Sequence, residues 1–195
     1  MLQLFFIRHG QTPGNLGRRY IGRTDEPLSE AGRAGLARLR PPAVDAVYVS
    51  PMRRCRESAA LLFPDRAAID VPGLEECDFG AFEGKNYAEL NGDAAYQAWI
   101  DSGGELPFPG GESRASFQAR CCRAFAALAA ELPASSARSA AFVVHGGTIM
   151  AVLSRFGLPR RGYFDWQVAC GGGYACRLAL TDAGPELRDI GPLAW

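Results

Sequence analysis

The sequence predicts an α/β fold, a three-layer sandwich in which helices flank a central, mainly parallel sheet. Three observations carry that prediction. Short apolar runs rich in aromatic and β-branched residues alternate with longer helical segments along the chain. The connections between them hold Gly, Pro and capping residues, with no low-complexity linker and no repeat at solenoid spacing. The chain has 195 residues, 48% hydrophobic and 22% charged, which suits one globular unit with its own core. A single domain over residues 1–195 is expected, with residues 74–112 as an insertion, a cap over the site.

Taken in order, Leu2–Arg8 reads as a buried strand, followed by a polar, Gly- and Arg-rich connection over 9–28 without periodicity. Ser29-Glu30 opens a helix through Leu36 and Leu39, closed by Pro41-Pro42. Ala46–Val49 is a second strand. Ser50-Pro51 reads as an N-cap with proline at the first helical position, starting a helix to about Phe63. Ala67–Val71 gives a third strand, 74–85 a loop, and Tyr87–Asp101 a modest helix. Residues 102–111 are dense in Gly and Pro and read as loop. Ser113 caps a long alanine-rich helix to about Leu132, Ala140–Val144 is a fourth strand, and Thr148–Phe156 a helix. Tyr174–Leu180 and Glu186–Ile190 finish as paired strands joined through Asp182-Ala183-Gly184-Pro185.

The 21 cations balance 21 acids, which argues against a nucleic-acid partner, yet the charges are segregated. Residues 1–64 carry 10 Lys/Arg against 5 Asp/Glu, residues 65–112 carry 2 against 11, and residues 113–195 carry 9 against 5. A basic first third inside a neutral protein fits a local anion site better than a polyanion track. No apolar run approaches a membrane span, and Arg8 ends the opening apolar run too early for a secretory signal. No membrane partner and a cytoplasmic location are expected. The six cysteines (55, 77, 121, 122, 170, 176) form no C-x-x-C pair and are expected to be reduced and largely buried. No metal site is expected, although two histidines and a cysteine leave a zinc alternative open.

The chain has two histidines, and both share one setting. His9 follows Leu4-Phe5-Phe6-Ile7-Arg8 and precedes Gly10; His145 follows Phe142-Val143-Val144 and precedes Gly146. Ligands of parallel sheets sit at the carboxyl ends of strands, so the two imidazoles are expected to meet at one edge. Glycine after each permits close backbone approach. Gly146-Gly147-Thr148 leads into a helix whose N-terminal N–H groups favour an anion. Arg8 sets a guanidinium beside His9, and Arg53, Arg54 and Arg56 begin the helix after the second strand.

These segments together resemble the histidine phosphatase superfamily, in its phosphoglycerate mutase-like branch. Arg8-His9-Gly10-Gln11-Thr12 with Asn15 is similar to the family's R-H-G-[EQ]-T signature. Gly22-Arg23-Thr24-Asp25-Glu26-Pro27-Leu28-Ser29 resembles the segment that follows it. Ser50-Pro51-Met52-Arg53-Arg54 selects Arg54 among its neighbours, and Glu76-Cys77-Asp78-Phe79-Gly80 selects Glu76 over Glu75. Pro109-Gly110-Gly111-Glu112-Ser113 and His145-Gly146-Gly147-Thr148 complete the set, with Glu112-Ser113 read as a helix start. Phe82 stands where the family often has Trp, and Cys55 where Ala is usual.

The resemblance implies a metal-independent phosphomonoesterase with no cofactor, acting on a small phosphorylated metabolite, with α-ribazole phosphate as one family precedent. His9 would be the nucleophile, its other ring N–H held by a backbone carbonyl. Arg8, Arg54 and a protonated His145 would hold the phosphoryl group, with Asn15, Gly22 and Gly146 as further substrate contacts. Glu76, its pKa raised by Glu75, Asp78 and partial burial, would be the general acid and base. Phe82, Tyr87, Tyr96, Trp99 and Phe108 would wall the leaving group or pack as core. The short segment 84–112 favours hydrolysis over mutase-type transfer. A mutase, a non-catalytic phospholigand-binding module and a homodimeric assembly stay as alternatives to test.

Overall fold

The computed structural model describes residues 2–194. Six strands form one sheet in the order β3-β2-β4-β1-β5-β6: β1 Leu2–Arg8, β2 Ala46–Val49, β3 Ala68–Asp70, β4 Ser139–Val144, β5 Gly173–Thr181 and β6 Gly184–Pro192. The neighbours among β3, β2, β4 and β1 pair in parallel, whereas β5 and β6 are antiparallel. The helices are α1 Pro13–Leu16, α2 Glu30–Ala37, α3 Arg53–Leu62, α4 Ala94–Asp101, α5 Arg114–Glu131 and α6 Gly146–Phe156.

Alternation along the strands makes the three layers. On β1, Leu4 and Phe6 join Phe125 of α5 with Ile149 and Val152 of α6 on one face. Phe5 and Ile7 turn the other way, towards Leu36 of α2 and Cys55 and Ala59 of α3. β4 is buried nearly throughout, because it lies between two parallel neighbours and under helices on both faces. A third apolar cluster joins Cys77, Phe82, Leu90 and Phe108 from the 74–112 segment to Phe117 and Cys121 of α5. That segment therefore packs on α5 beside the sheet's carboxyl edge. Among the described residues, no helix is long and apolar enough to cross a membrane.

Several boundaries differ from the expectation, each for a local reason. The polar connection after β1 contains α1, a single turn closed by a capping box between Thr12 and Asn15. Helix α3 starts at Arg53 after Met52, so Ser50 is not its N-cap; the Ser50 hydroxyl is engaged by His145 instead. Helix α4 begins at Ala94, where Asp93 accepts from the Ala95 and Tyr96 amides, so 87–93 is turn rather than helix. Helix α6 begins two residues early, at Gly146. The β5–β6 hairpin tightens to Asp182-Ala183, with Thr181 opposite a Gly184 at φ +110°.

Candidate active site

Strand register builds the site. β1 and β4 run with Arg8 opposite Val144, so the next residues, His9 and His145, leave the sheet side by side. The His9 amide closes the ladder on the Val144 carbonyl at 2.9 Å. Both imidazoles are buried, and their ring centroids lie 5.2 Å apart at 67°.

His9 is held as a neutral imidazole in one tautomer. Its Nδ1 is 2.7 Å from the Gly10 carbonyl, which only accepts, so Nδ1 carries the proton and Nε2 keeps its lone pair. Burial, and then the Arg54 guanidinium, lower its pKa to about 3. The Gly10 amide in turn donates to Ser58 Oγ, whose hydroxyl donates to the Arg54 carbonyl. Helix α3 thus fixes the loop that fixes the ring.

Arg54 is a fully buried cation tied down by carbonyls. Its NH1 donates to Thr24 and its NH2 to Gly22, both at 2.8 Å, and its Nε to His145 Nδ1 at 3.3 Å. Arg53 and Arg56 face outward in ion pairs with Glu57 and Asp70. Because a guanidinium nitrogen only donates, His145 Nδ1 is an acceptor, and its Nε2–H donates to Ser50 Oγ at 2.8 Å. Burial and then Arg54 push the His145 pKa well below the usual range. The expected protonated His145 is therefore corrected: the ring is neutral here, with a protein partner on each nitrogen.

Arg8 NH1 donates to the Val168 carbonyl at 2.7 Å, and its guanidinium lies over Gly146, Cζ 3.5 Å from where a Cβ would stand. Its Nε is buried without a protein partner, a donor left for another group. Gly146 begins α6 with no side-chain cap, so the dipole end of an 11-residue helix faces the same place. Glu76 completes the cluster. Its Oε1 accepts from the Cys77 amide at 3.0 Å and its Oε2 from the Gly147 amide at 3.3 Å. Burial raises its pKa, with the Cys77 amide and Arg54 opposing. Glu75 and Asp78 are not among the causes, contrary to expectation; Asp78 faces Arg23.

From Arg8, Glu76, Gly146 and Gly147 a cavity of about 790 Å³ opens beneath the 74–112 segment. Arg8, Glu76 and the amide end of α6 line this hollow, while His9 and Arg54 are buried next to them and outside its lining. An imidazole, two guanidiniums and a carboxyl of raised pKa in one cluster can bind a tetrahedral anion, attack it, and deliver a proton. The profile of the histidine phosphatase superfamily (branch 1) matches residues 4–191. The chain belongs to that superfamily. The enzyme is 30% identical to the glucosyl-3-phosphoglycerate phosphatase of Mycobacterium tuberculosis over 99% of this chain and 91% of that one. It is 33% identical to a 2,3-bisphosphoglycerate-dependent phosphoglycerate mutase of Gloeobacter violaceus over 78% and 74% of the two chains. The crystal structure of the α-ribazole phosphatase from Shigella flexneri matches its fold with a TM-score of 0.80 at 24% identity, covering 96% of this chain and 95% of that one.

Two expected substrate contacts have other work in the enzyme. The Asn15 side-chain oxygen accepts from the Thr12 amide at 3.2 Å and from Cys170 Sγ, so Asn15 helps cap α1, and it lines a second hollow on the other side of Arg8 with Gly10 and Gln11. Gly22 is a positioning element: its carbonyl holds Arg54, and a Cβ there would stand 1.9 Å from the Cys77 carbonyl oxygen. Of the aromatic set, Trp99 and Phe108 line the cavity, while Phe82 and Tyr96 pack in the cluster beside it. Tyr87 is 62% exposed and takes no part. Glu112 pairs with Arg120 rather than facing the cavity, and Ser113 caps α5. The sequence reading missed Ser50 and Arg120. Arg120 NH1 donates to the Gly73 and Glu75 carbonyls and NH2 to that of Glu76, clamping the loop that carries the acid. Among the described residues, no group of three or more His, Cys, Asp or Glu side chains converges to hold a metal.

Proposed function

We propose that the enzyme hydrolyses phosphate monoesters of small metabolites through a phosphohistidine on His9. The observation that carries this reading is the fixed His9 tautomer, with Nδ1–H on the Gly10 carbonyl and a neutral Nε2 in a site built around two guanidiniums. The phosphoryl dianion would take the unpartnered Arg8 Nε–H and the amide end of α6. Nε2 attacks phosphorus, and the bond from phosphorus to the leaving oxygen breaks. Glu76, whose proton affinity burial raises, gives its proton to that oxygen. Water then attacks the phosphohistidine, gives its proton to Glu76, and the phosphorus–nitrogen bond breaks. Charge stabilisation falls to Arg8 and Arg54, which act on a site of low dielectric. His145 holds the Arg54 Nε and packs edge-on against His9; a bound dianion beside it would raise its proton affinity.

Mutase-type transfer is the second reading, supported by the Gloeobacter relative. The short 84–112 segment favours release of phosphate to water over retention of a bisphosphorylated intermediate. The test is phosphate release from a broad panel of phosphorylated metabolites by the wild type, His9→Ala and Glu76→Ala. Release abolished in the first and strongly reduced in the second supports the proposal. Isomer exchange between phosphoglycerates with added bisphosphoglycerate and no net release would overturn it in favour of the mutase.

A further inference from the structure

Beyond its reactive end, the cavity changes character. It is far larger than a phosphoryl group, at about 790 Å³, and ligand pockets of roughly 300–1,000 Å³ take whole organic molecules. Apart from Arg8 and Glu76, one charged side chain among the described residues lines it, Arg114. That cation is already engaged: it pairs with Glu105, donates to the Gly103 carbonyl and sits 5.7 Å from the Phe164 ring centre. Besides Gln167 and the partnerless Trp99 Nε1–H, the remaining wall is largely apolar and aromatic, with Phe79, Trp99, Phe108, Met150, Tyr163 and Phe164 prominent. Trp99 is held firmly there, stacked on Tyr96 at 6.2 Å and 13° and set against Phe108 at 5.0 Å. Phe164 is 56% exposed and Ile100 46%, two large apolar side chains left in water where both line the cavity. Large apolar side chains left in water at a cavity are placed to meet a ligand.

A second phosphate or a carboxylate on the substrate would be desolvated against these rings and would have to compete with Glu105 for Arg114. We infer that the alcohol released is uncharged, ring-bearing and largely apolar, and that Phe164 and Trp99 form the wall that selects it. The inference rests on the phosphomonoesterase reading for the word alcohol, but the binding preference stands on the cavity alone. A flat ring meets Trp99 and Phe164 by offset or edge contacts, which aromatic quadrupoles favour.

The test uses the wild-type protein and two non-hydrolysable phosphonates that share the anionic head: 3-phenylpropylphosphonate and the phosphonate analogue of 3-phosphoglycerate. Calorimetry is expected to give about 10-fold or tighter preference for the phenyl compound, the order expected for burying one ring. Phe164→Ala, at an exposed position, should cut that preference by about 3-fold or more. Glu105→Gln, at another exposed position, frees Arg114 and should improve binding of the carboxylate compound alone. Equal or tighter binding of the carboxylate compound by the wild type overturns the inference, as does an unchanged preference in Phe164→Ala. Hydrolysis of the corresponding esters is measured separately. Turnover with an anionic preference sinks the inference and spares the phosphatase reading. A phenyl preference with no turnover and no phosphohistidine does the reverse.

Discussion

Replacing Gly22 with alanine would set a methyl carbon 1.9 Å from the Cys77 carbonyl oxygen, with the carbonyl carbon at 3.1 Å. Both obstacles are backbone, so no rotamer change relieves them. Restoring a contact of 3.0 Å or more forces the two loops apart by about 1 Å, a displacement that can cost on the order of 10²-fold when it reaches catalytic groups. Two such groups ride on those loops. The Gly22 carbonyl anchors Arg54 at 2.8 Å, and Glu76 immediately precedes Cys77. Turnover should therefore fall about 10²-fold, and stability by about 1–3 kcal/mol from overpacking. The assays are kcat/KM on a hydrolysed phosphomonoester and a thermal melt, with Gly35→Ala as control. Nothing lies within 4 Å of a Cβ at Gly35, which is inside α2, so that change should be neutral or stabilise by up to about 1 kcal/mol. Wild-type kcat/KM in Gly22→Ala would refute the claim that this close approach sets the Arg54 and Glu76 geometry.

Three further outcomes follow from the same site. Glu76→Gln should slow the single-turnover burst of released alcohol about 10²–10⁴-fold with alkyl phosphates but under about 10-fold with an activated aryl phosphate, whose leaving oxygen needs no proton, while the later water step slows with both; equal losses in the burst would contradict the acid assignment. Both imidazoles have pKa values below the unfolded 6.5, so below that pH the unfolded chain binds more protons and stability is lost on acidification; His9, at about 3, contributes about 2 kcal/mol of loss by pH 5. His145 adds to this and Glu76, raised, opposes it, so melts should fall by at least about 4 °C between pH 7 and pH 5, and an unchanged Tm would contradict the neutral buried pair. Ser50→Ala leaves the buried His145 Nε2–H with only the Cys55 sulfur, a weak acceptor at 3.5 Å, and should cost about 1 kcal/mol in stability with kcat reduced through Arg54; a variant as stable as wild type would show that the Ser50 bond contributes nothing.

Much of the fold was legible because strand and helix periodicities separate cleanly here. β1 and β4 are apolar runs ended by His-Gly, and parallel pairing then places their ends together, so the meeting of the two histidines is legible in the sequence. Ser29 and Ser113 declared their helices because an N-cap side chain acts locally. What stayed hidden depends on distant partners. Ser50 looked like a cap, but its hydroxyl serves a histidine 95 residues away in sequence. Arg120 lies unmarked in an alanine-rich helix, and its role comes from carbonyls some 44 to 47 residues earlier. The protonation of His145 was misread for the same reason. A phosphoryl-binding role implies a cation, whereas burial and the direction of the Arg54 Nε–H decide for the neutral ring. Asn15 carried a family signature, and local geometry still commits its oxygen to the start of α1.

Chemical quench of a single turnover tests the central claim most directly. Wild-type protein mixed with a ³²P-labelled monoester and quenched in alkali should carry label that survives base and is lost in acid, mapped to the peptide bearing His9. His9→Ala should carry none. Label absent from the wild type while phosphate is released, or label found on any residue other than His9, would contradict the account.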